Sequence, residues 1–206
     1  ITVLSGADLS LTSGEGDYAY AQIGNGGDSS LGANSGNIVV NVTGNITLAG
    51  DIDYAQIGNG GWGSAGSSGN ISVSATGNIS LTASDTADYG YAQIGNGGTD
   101  AVGTISGNLT VSSGGAILLA ALYDGAVAEI GNIGGDGSSQ SGNISINTHG
   151  HTLSLAASGS GAAAHIGNWT VGNAAAAGSS GNILIAAGAV SLSATDRIGH
   201  AFGTQG

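Results

Sequence analysis

The chain has 206 residues, of which 42 are glycine and none is proline, cysteine or methionine, and it carries 13 acidic side chains against one arginine for a formal net charge of −12. That balance repels phosphate backbones and anionic membrane surfaces, so no nucleic-acid partner is expected, and the missing cysteine excludes disulfides and thiolate metal sites. The lack of proline and of a Gly-X-Y period excludes collagen, while 40% hydrophobic residues in recurring order suffice for a core.

Taken in order, the chain repeats one sentence of three short apolar stretches. The opening unit reads Ile1-Thr2-Val3, Leu9-Ser10-Leu11 and Ala21-Gln22-Ile23. The second reads Ile38-Val39-Val40-Asn41-Val42, Ile46-Thr47-Leu48 and Ala55-Gln56-Ile57, and the third Ile71-Ser72-Val73, Ile79-Ser80-Leu81 and Ala92-Gln93-Ile94. Later units open on Leu109-Thr110-Val111, Ile144-Ser145-Ile146 and Ile183-Leu184-Ile185 and continue with Ile117-Leu118-Leu119, Leu153-Ser154-Leu155 and Val190-Ser191-Leu192. The octapeptide Tyr-Ala-Gln-Ile-Gly-Asn-Gly-Gly occurs unchanged at Tyr20–Gly27, Tyr54–Gly61 and Tyr91–Gly98. Worn copies follow around Ile130, Ile166 and Ile198, so the isoleucines from Ile23 onward step by 34, 37, 36, 36 and 32 residues.

A near-constant period of this size is the mark of a repeat array. Within each unit the alternation of apolar with Ser, Thr or Asn has period two, which is a half-buried strand, and glycine density opposes helix. Six repetitions of three short strands predict an all-β parallel β-helix (a β-solenoid) of six coils, one repeat of about 35 residues per coil. The coils are placed at about 1–34, 35–68, 69–105, 106–140, 141–179 and 180–206 in a single segment. At about 4.8 Å per strand such a rod is about 29 Å long. Ile38, Val40, Ile46, Leu48, Ala55 and Ile57, with their equivalents, are expected to point inward.

Two asparagine rows mark the corners: Asn25, Asn59, Asn96, Asn132 and Asn168 after the third strand, and Asn37, Asn70, Asn108, Asn143 and Asn182 before the first. Stacked amides hydrogen-bond along an axis, and Asn tolerates the left-handed backbone of a tight corner. The stretches 28–35, 62–68, 99–106, 136–141 and 170–180 vary in length and are read as loops. Asn-x-Ser/Thr sequons such as Asn70-Ile71-Ser72 fall out of an Asn corner before a Ser/Thr-faced strand, and a buried ladder Asn would not accept a glycan.

Residues with chemical potential are few. No nucleophile elbow, zinc-binding His-Glu-x-x-His or phosphate-binding loop occurs, so no catalytic residue, resident metal or cofactor is expected. His149 and His151 lack a third ligand, and His151 is taken to replace Asn45 and Asn78 at a turn. The carboxylates of Asp51 with Asp53, Asp85 with Asp88 and Glu15 with Asp17 would suit glycan cleavage, but only Arg197 is available to neutralise an acidic sugar. The same acids are the donors calcium would use, yet no calcium-loop motif is present, and solvated loop charge is the preferred reading. Tyr20, Tyr54 and Tyr91 are expected to face outward beside Gln22, Gln56 and Gln93, where stacked rings could meet sugars or be covered by the adjacent loop. Glu129, His165 and Arg197 follow at the glutamine position, as a solvent-facing site would permit.

The repeated Tyr-Ala-Gln-Ile-Gly-Asn-Gly-Gly and the paired Gly-Asn-Ile-x-Val and Gly-Asn-Ile-x-Leu strands resemble the repeat region of bacterial exoproteins of the filamentous haemagglutinin type. The resemblance covers essentially the whole chain. It implies a right-handed β-helix and a secreted shaft at the bacterial cell surface, exported by two-partner secretion or as an autotransporter. It also implies adhesion between cells, to surfaces or to biofilm matrix, with exopolysaccharide or cell-surface glycan as partner. A carbohydrate-active enzyme on a β-helix scaffold is the alternative, and an ice- or surface-binding solenoid the third reading. No apolar run approaches the roughly 18 residues of a membrane-spanning helix. The start at Ile1 instead of Met suggests a piece of a longer chain, with further coils continuing end to end.

Overall fold

The computed structural model describes residues 1–16, 18–84, 90–171, 178–193 and 195–200. Among them there is no helix, and strands pair in parallel with their counterparts one repeat away. The first sheet stacks Thr2–Ser5, Ile38–Val42, Ile71–Ala75, Leu109–Ser113, Ile144–Asn147 and Ile183–Ala186. The second stacks Leu9–Thr12, Ile46–Gly50, Ile79–Ala83, Ile117–Ala121, Thr152–Ala157 and Ala189–Leu192. In the third lie Ala21–Ile23, Ala55–Ile57, Tyr91–Ile94, Val127–Ile130, Ala163–Ile166 and Arg197–Ile198. This is the expected β-solenoid. Six strand layers are joined by five repeat-length steps, so the chain makes about five turns where six coils were expected.

The register explains why the aliphatic pattern repeats. Ile57 pairs with Ile94, Ile94 with Ile130, Ile130 with Ile166 and Ile166 with Ile198, and comparable columns run through Ile46, Ile79 and Ile117. Ile38, Val40, Ile46, Leu48, Ala55 and Ile57 are all fully buried, as their alternation requires. Burying each Ile or Leu is worth about 1.5–3 kcal/mol, and every coil depends on its neighbours for that burial. The last layer shows the dependence: Val190 and Leu192 continue the Leu153 and Leu155 columns yet remain 46% exposed.

A fourth sheet corrects the three-strand unit. Asn34–Ser35, Ala65–Ser68, Val102–Ser106, Ser139–Ser141 and Gly178–Ser180 pair in parallel within stretches read as loops. Their Ser and Gly residues carry no apolar alternation because they face no aliphatic core. They lie instead beside a second, smaller cluster built from Tyr54, Tyr91, Val127, Ile133 and Trp169. Ile133–Gly134 and Trp169–Thr170 add a short two-stranded pairing there.

Candidate functional site: the Tyr, Gln and Asn ladders

The octapeptide becomes intelligible letter by letter once the coils are stacked. Ala55 and Ile57 fill the core, whereas Tyr54 and Gln56 point away from it, into the space between the third sheet and its cover. The tyrosines stack face to face: Tyr20 on Tyr54 and Tyr54 on Tyr91, each with ring centroids 4.8 Å apart and planes inclined by 4°. The last glycine of each motif makes room for them, because a Cβ on Gly27, Gly61 or Gly98 would overlap the hydroxyl of Tyr20, Tyr54 or Tyr91 respectively.

Glutamine forms the second ladder. Gln22 Nε2 donates to Gln56 Oε1 (3.1 Å) and to the carbonyls of Gly58 (2.8 Å) and Gly60 (2.6 Å). Gln56 repeats the pattern on Gln93 Oε1 (3.1 Å), Gly95 (3.0 Å) and Gly97 (2.6 Å). The first glycine of the motif permits this close approach, since a Cβ on Gly24, Gly58 or Gly95 would strike the carbonyl of Gly58, Gly95 or Gly131.

Asparagine forms the third ladder. The backbone N–H of Asn25, Asn59, Asn96 and Asn132 each donates to the side-chain oxygen of the asparagine one coil on, at 3.0–3.3 Å. The Nδ2 groups clamp the cover: Asn25, Asn59, Asn96, Asn132 and Asn168 donate to the carbonyls of Ser35, Ser68, Ser106, Ser141 and Ser180. Each of those serines ends a strand of the fourth sheet, so the five asparagines match the five strands. The glycine after each motif asparagine takes the left-handed turn that follows, with φ of 102°, 90° and 79° at Gly26, Gly60 and Gly97.

The proposed sugar-facing row is therefore corrected. Tyr54, Gln56 and Gln93 are 0% exposed and Tyr91 1%, because the turns that follow the motif lie over them, with Gly61 and Gly98 against the tyrosine hydroxyls, Gly97 on the Gln56 amide and Gly131 on that of Gln93. Only Tyr20 (37%) and Gln22 at the first coil reach solvent. Glu129 (0%) and His165 (2%) are buried as well, so the change of residue at the glutamine position does not reflect a solvent-facing site. Burial raises both tyrosine hydroxyls well above their ordinary range, and neither Tyr54 nor Tyr91 has a hydrogen-bond partner for its OH. Tyr54→Phe and Tyr91→Phe are accordingly expected to hold or raise stability in urea unfolding, whereas Tyr54→Ala empties the middle of the stack at a cost of about 3–5 kcal/mol.

The acids serve turns and corners. Asp8 Oδ1 accepts the Asn45 N–H (2.7 Å), Asp53 Oδ1 the Tyr54 N–H (2.8 Å), and Asp124 Oδ1 the Ser160 N–H (2.7 Å). Asp51 accepts from the Ser84 hydroxyl, while Asp17, Asp85 and Asp88 lie outside the described residues. Among the described residues no three of His, Cys, Asp and Glu converge to hold a metal ion. His149 takes a left-handed backbone (φ 49°), with Nδ1 3.1 Å from the Ser113 carbonyl. Thr152, not His151, stands in register with Asn78 and Asn45, because the intervening coils pair Leu153 with Ile117, Ile117 with Ile79 and Ile79 with Ile46.

The outer asparagine row is also corrected. Its side-chain oxygens accept the next coil's N–H, as from Asn70 to Asn37 and from Asn108 to Asn70 (both 3.0 Å), but these asparagines are exposed. Burial thus explains only the sequon at Asn168, whose Nδ2 is held by the Gly142 and Ser180 carbonyls. The signal missed in the sequence is Ser-Gly-Asn, which recurs at Ser35, Ser68, Ser106, Ser141 and Ser180, 9 to 12 residues after each inner asparagine.

No protein-family model matches the chain, and no curated protein or solved structure shows significant similarity to it.

Proposed function

We propose that this chain is a length of structural and adhesive shaft of the filamentous haemagglutinin type. In this reading it is carried outside a bacterial cell and holds cells to one another, to surfaces or to matrix exopolysaccharide. The observation that supports it best is the use made of the repeated octapeptide. Its side chains are directed into coil-to-coil contacts, so the repetition serves axial stacking, which is what an extended spacer needs. A rod of this kind works by reach and by many weak contacts made together.

Contact with a partner then falls on the outer faces of the first and second sheets and on the outside of the fourth. The uncovered row Ser10, Thr47, Ser80, Leu118, Ser154 and Ser191 on the second sheet is one such surface. Its mixed chemistry, broken by the half-exposed Leu118, suits varied weak contacts better than a regular crystal lattice.

The test is to immobilise the 206-residue chain and measure retention of matrix and cell-surface polysaccharides, assaying the same samples for new reducing ends. Saturable retention without cleavage is expected, unchanged in Tyr54→Phe and Tyr91→Phe because those rings are covered. Absence of retention on every glycan and on matrix-forming cells would sink the adhesive reading, and cleavage products would replace it with an enzyme.

A further inference from the structure

Three coils carry glutamine at one ladder position, and the next three carry Glu129, His165 and Arg197 in unbroken register. His165 Nδ1 lies 2.7 Å from Glu129 Oε2, and its Nε2 lies 2.7 Å from the Gly199 carbonyl. A carbonyl only accepts, so Nε2 carries hydrogen, and Nδ1 and Oε2 share one further proton between them. Trp169 meets the imidazole edge-on at 5.2 Å and restricts its rotation.

Glu129 Oε1 is buried without a hydrogen-bond partner. In the preceding coils the glutamine nitrogen donates to the glycine carbonyl one coil on: Gln22 to Gly58, Gln56 to Gly95 and Gln93 to Gly131. Gly167 is the corresponding glycine for residue 129, because Ile130 pairs with Ile166. An ionised carboxylate has no hydrogen to give there, and a buried, unmatched acceptor is costly.

We propose that Glu129 and His165 form a proton-operated clasp between the fourth and fifth coils, which takes up a second proton in mild acid and then completes the ladder with Glu129 as donor.

In the doubly protonated pair, Oε2 accepts from His165 Nδ1–H while the added hydrogen turns Glu129 from a pure acceptor into a donor. Burial pushes the Glu129 carboxyl up to about 7, against the lowering effect of the His165 charge and hydrogen bond. The strand below presents Tyr91 and Gln93 to this site, and burial keeps Tyr91 uncharged. The strand above presents His165, over which Arg197 stands in register, and that cation opposes the second proton. A chain of net charge −12 favours it. His200 acts in the opposite sense, because its Nδ1 accepts the Asn168 N–H (3.0 Å) and protonation there would break that bond.

The folded carboxyl holds its proton more tightly than the unfolded one, whose ordinary value is 4.5. Its contribution to stability is therefore complete below the unfolded value and is lost as pH rises through about 7. The sequence offers a direct probe, since Glu15 and Glu129 are its only glutamates. Carboxyl-13C glutamate labelling of the chain then gives two resonances, and Glu129→Gln identifies the buried one by its loss.

The Glu129 resonance is expected to titrate near pH 7. The melting midpoint is expected to rise by about 3–8 °C between about pH 8 and pH 5.5 in a His200→Asn background, which removes the opposing group. In Glu129→Gln, whose amide donates at every pH, that rise is expected to vanish. A Glu129 resonance that moves only below about pH 5, or a Gln variant that keeps the parent pH dependence, overturns the clasp. Should the Gln variant fail to fold, the Glu129 titration in the labelled parent chain decides alone, with Glu15→Gln assigning the resonance.

Discussion

Gly95→Ala is expected to break the middle of the rod, at a cost of about 3 kcal/mol or more in urea unfolding. A Cβ at residue 95 would fall on the Gly131 carbonyl, which is backbone in the next coil and cannot rotate aside. Separating the two coils to admit the methyl would stretch the bond from Gly131 N–H to the Ile94 carbonyl (3.0 Å) and the Gln93 bond to the Gly131 carbonyl (2.9 Å). The same pressure would reach the isoleucine column, where Ile94 sits on Ile130. Gly32→Ala is the control, because no atom approaches its Cβ position, and its midpoint should stay within about 0.5 kcal/mol of the parent. Both unfolding curves should be followed by two probes, since a repeat array can lose its end coils before its centre.

Asn96→Ala carries the second large effect, expected at about 3–5 kcal/mol from the several buried groups it strands. Asn96 Oδ1 accepts from the Asn59 N–H (3.0 Å) and Asn59 Nδ2 (3.2 Å), and its own Nδ2 donates to the Gly69 (2.8 Å) and Ser106 (3.0 Å) carbonyls. Alanine therefore leaves the Asn59 N–H and the Gly69 carbonyl without partners, and the Ser106 carbonyl with the Gly69 N–H (3.1 Å) alone. The loss falls on one element in particular: the strand Val102–Ser106 is released from the corner that holds it. Hydrogen exchange should show that strand opening while Leu109–Ser113 of the first sheet keeps its protection. Asn108→Ala in the outer row is the comparison, since it removes one exposed bond from the Asn143 N–H (2.9 Å) and should cost only about 0.5–1.5 kcal/mol. Equal costs at the two positions would refute the clamp.

Those two substitutions mark the boundary between what could be read from the chain and what could not. The aliphatic columns were legible because alternation and repetition are both local in sequence: Ile38, Val40, Ile46 and Leu48 declare their face by period two, and their coil-mates by spacing. The inner asparagines were legible as a ladder for the same reason. Their second task was hidden. Nothing adjacent to Asn96 announces that its Nδ2 reaches Ser106, because Gly, Ser and Thr around that serine show no apolar period.

The expected exposure of the Tyr and Gln row failed for a related reason. Alternation shows only that Tyr54 and Gln56 point away from Ala55 and Ile57, and a side chain pointing away from one core is solvent-facing only if nothing lies beyond it. Here the turns after each motif do, through Gly60, Gly61, Gly97 and Gly98, and with Ile133 and Trp169 they make the outward face of the third sheet a second interior. The sequence by itself determined the repeat, the parallel stacking and the aliphatic core, because these follow from periodic burial. Only the tertiary structure decided which outward faces stay wet and that Glu129 and His165 meet in the dark of the stack, because covering is set by contacts between residues 9 to 39 apart and not by the pattern of any one strand.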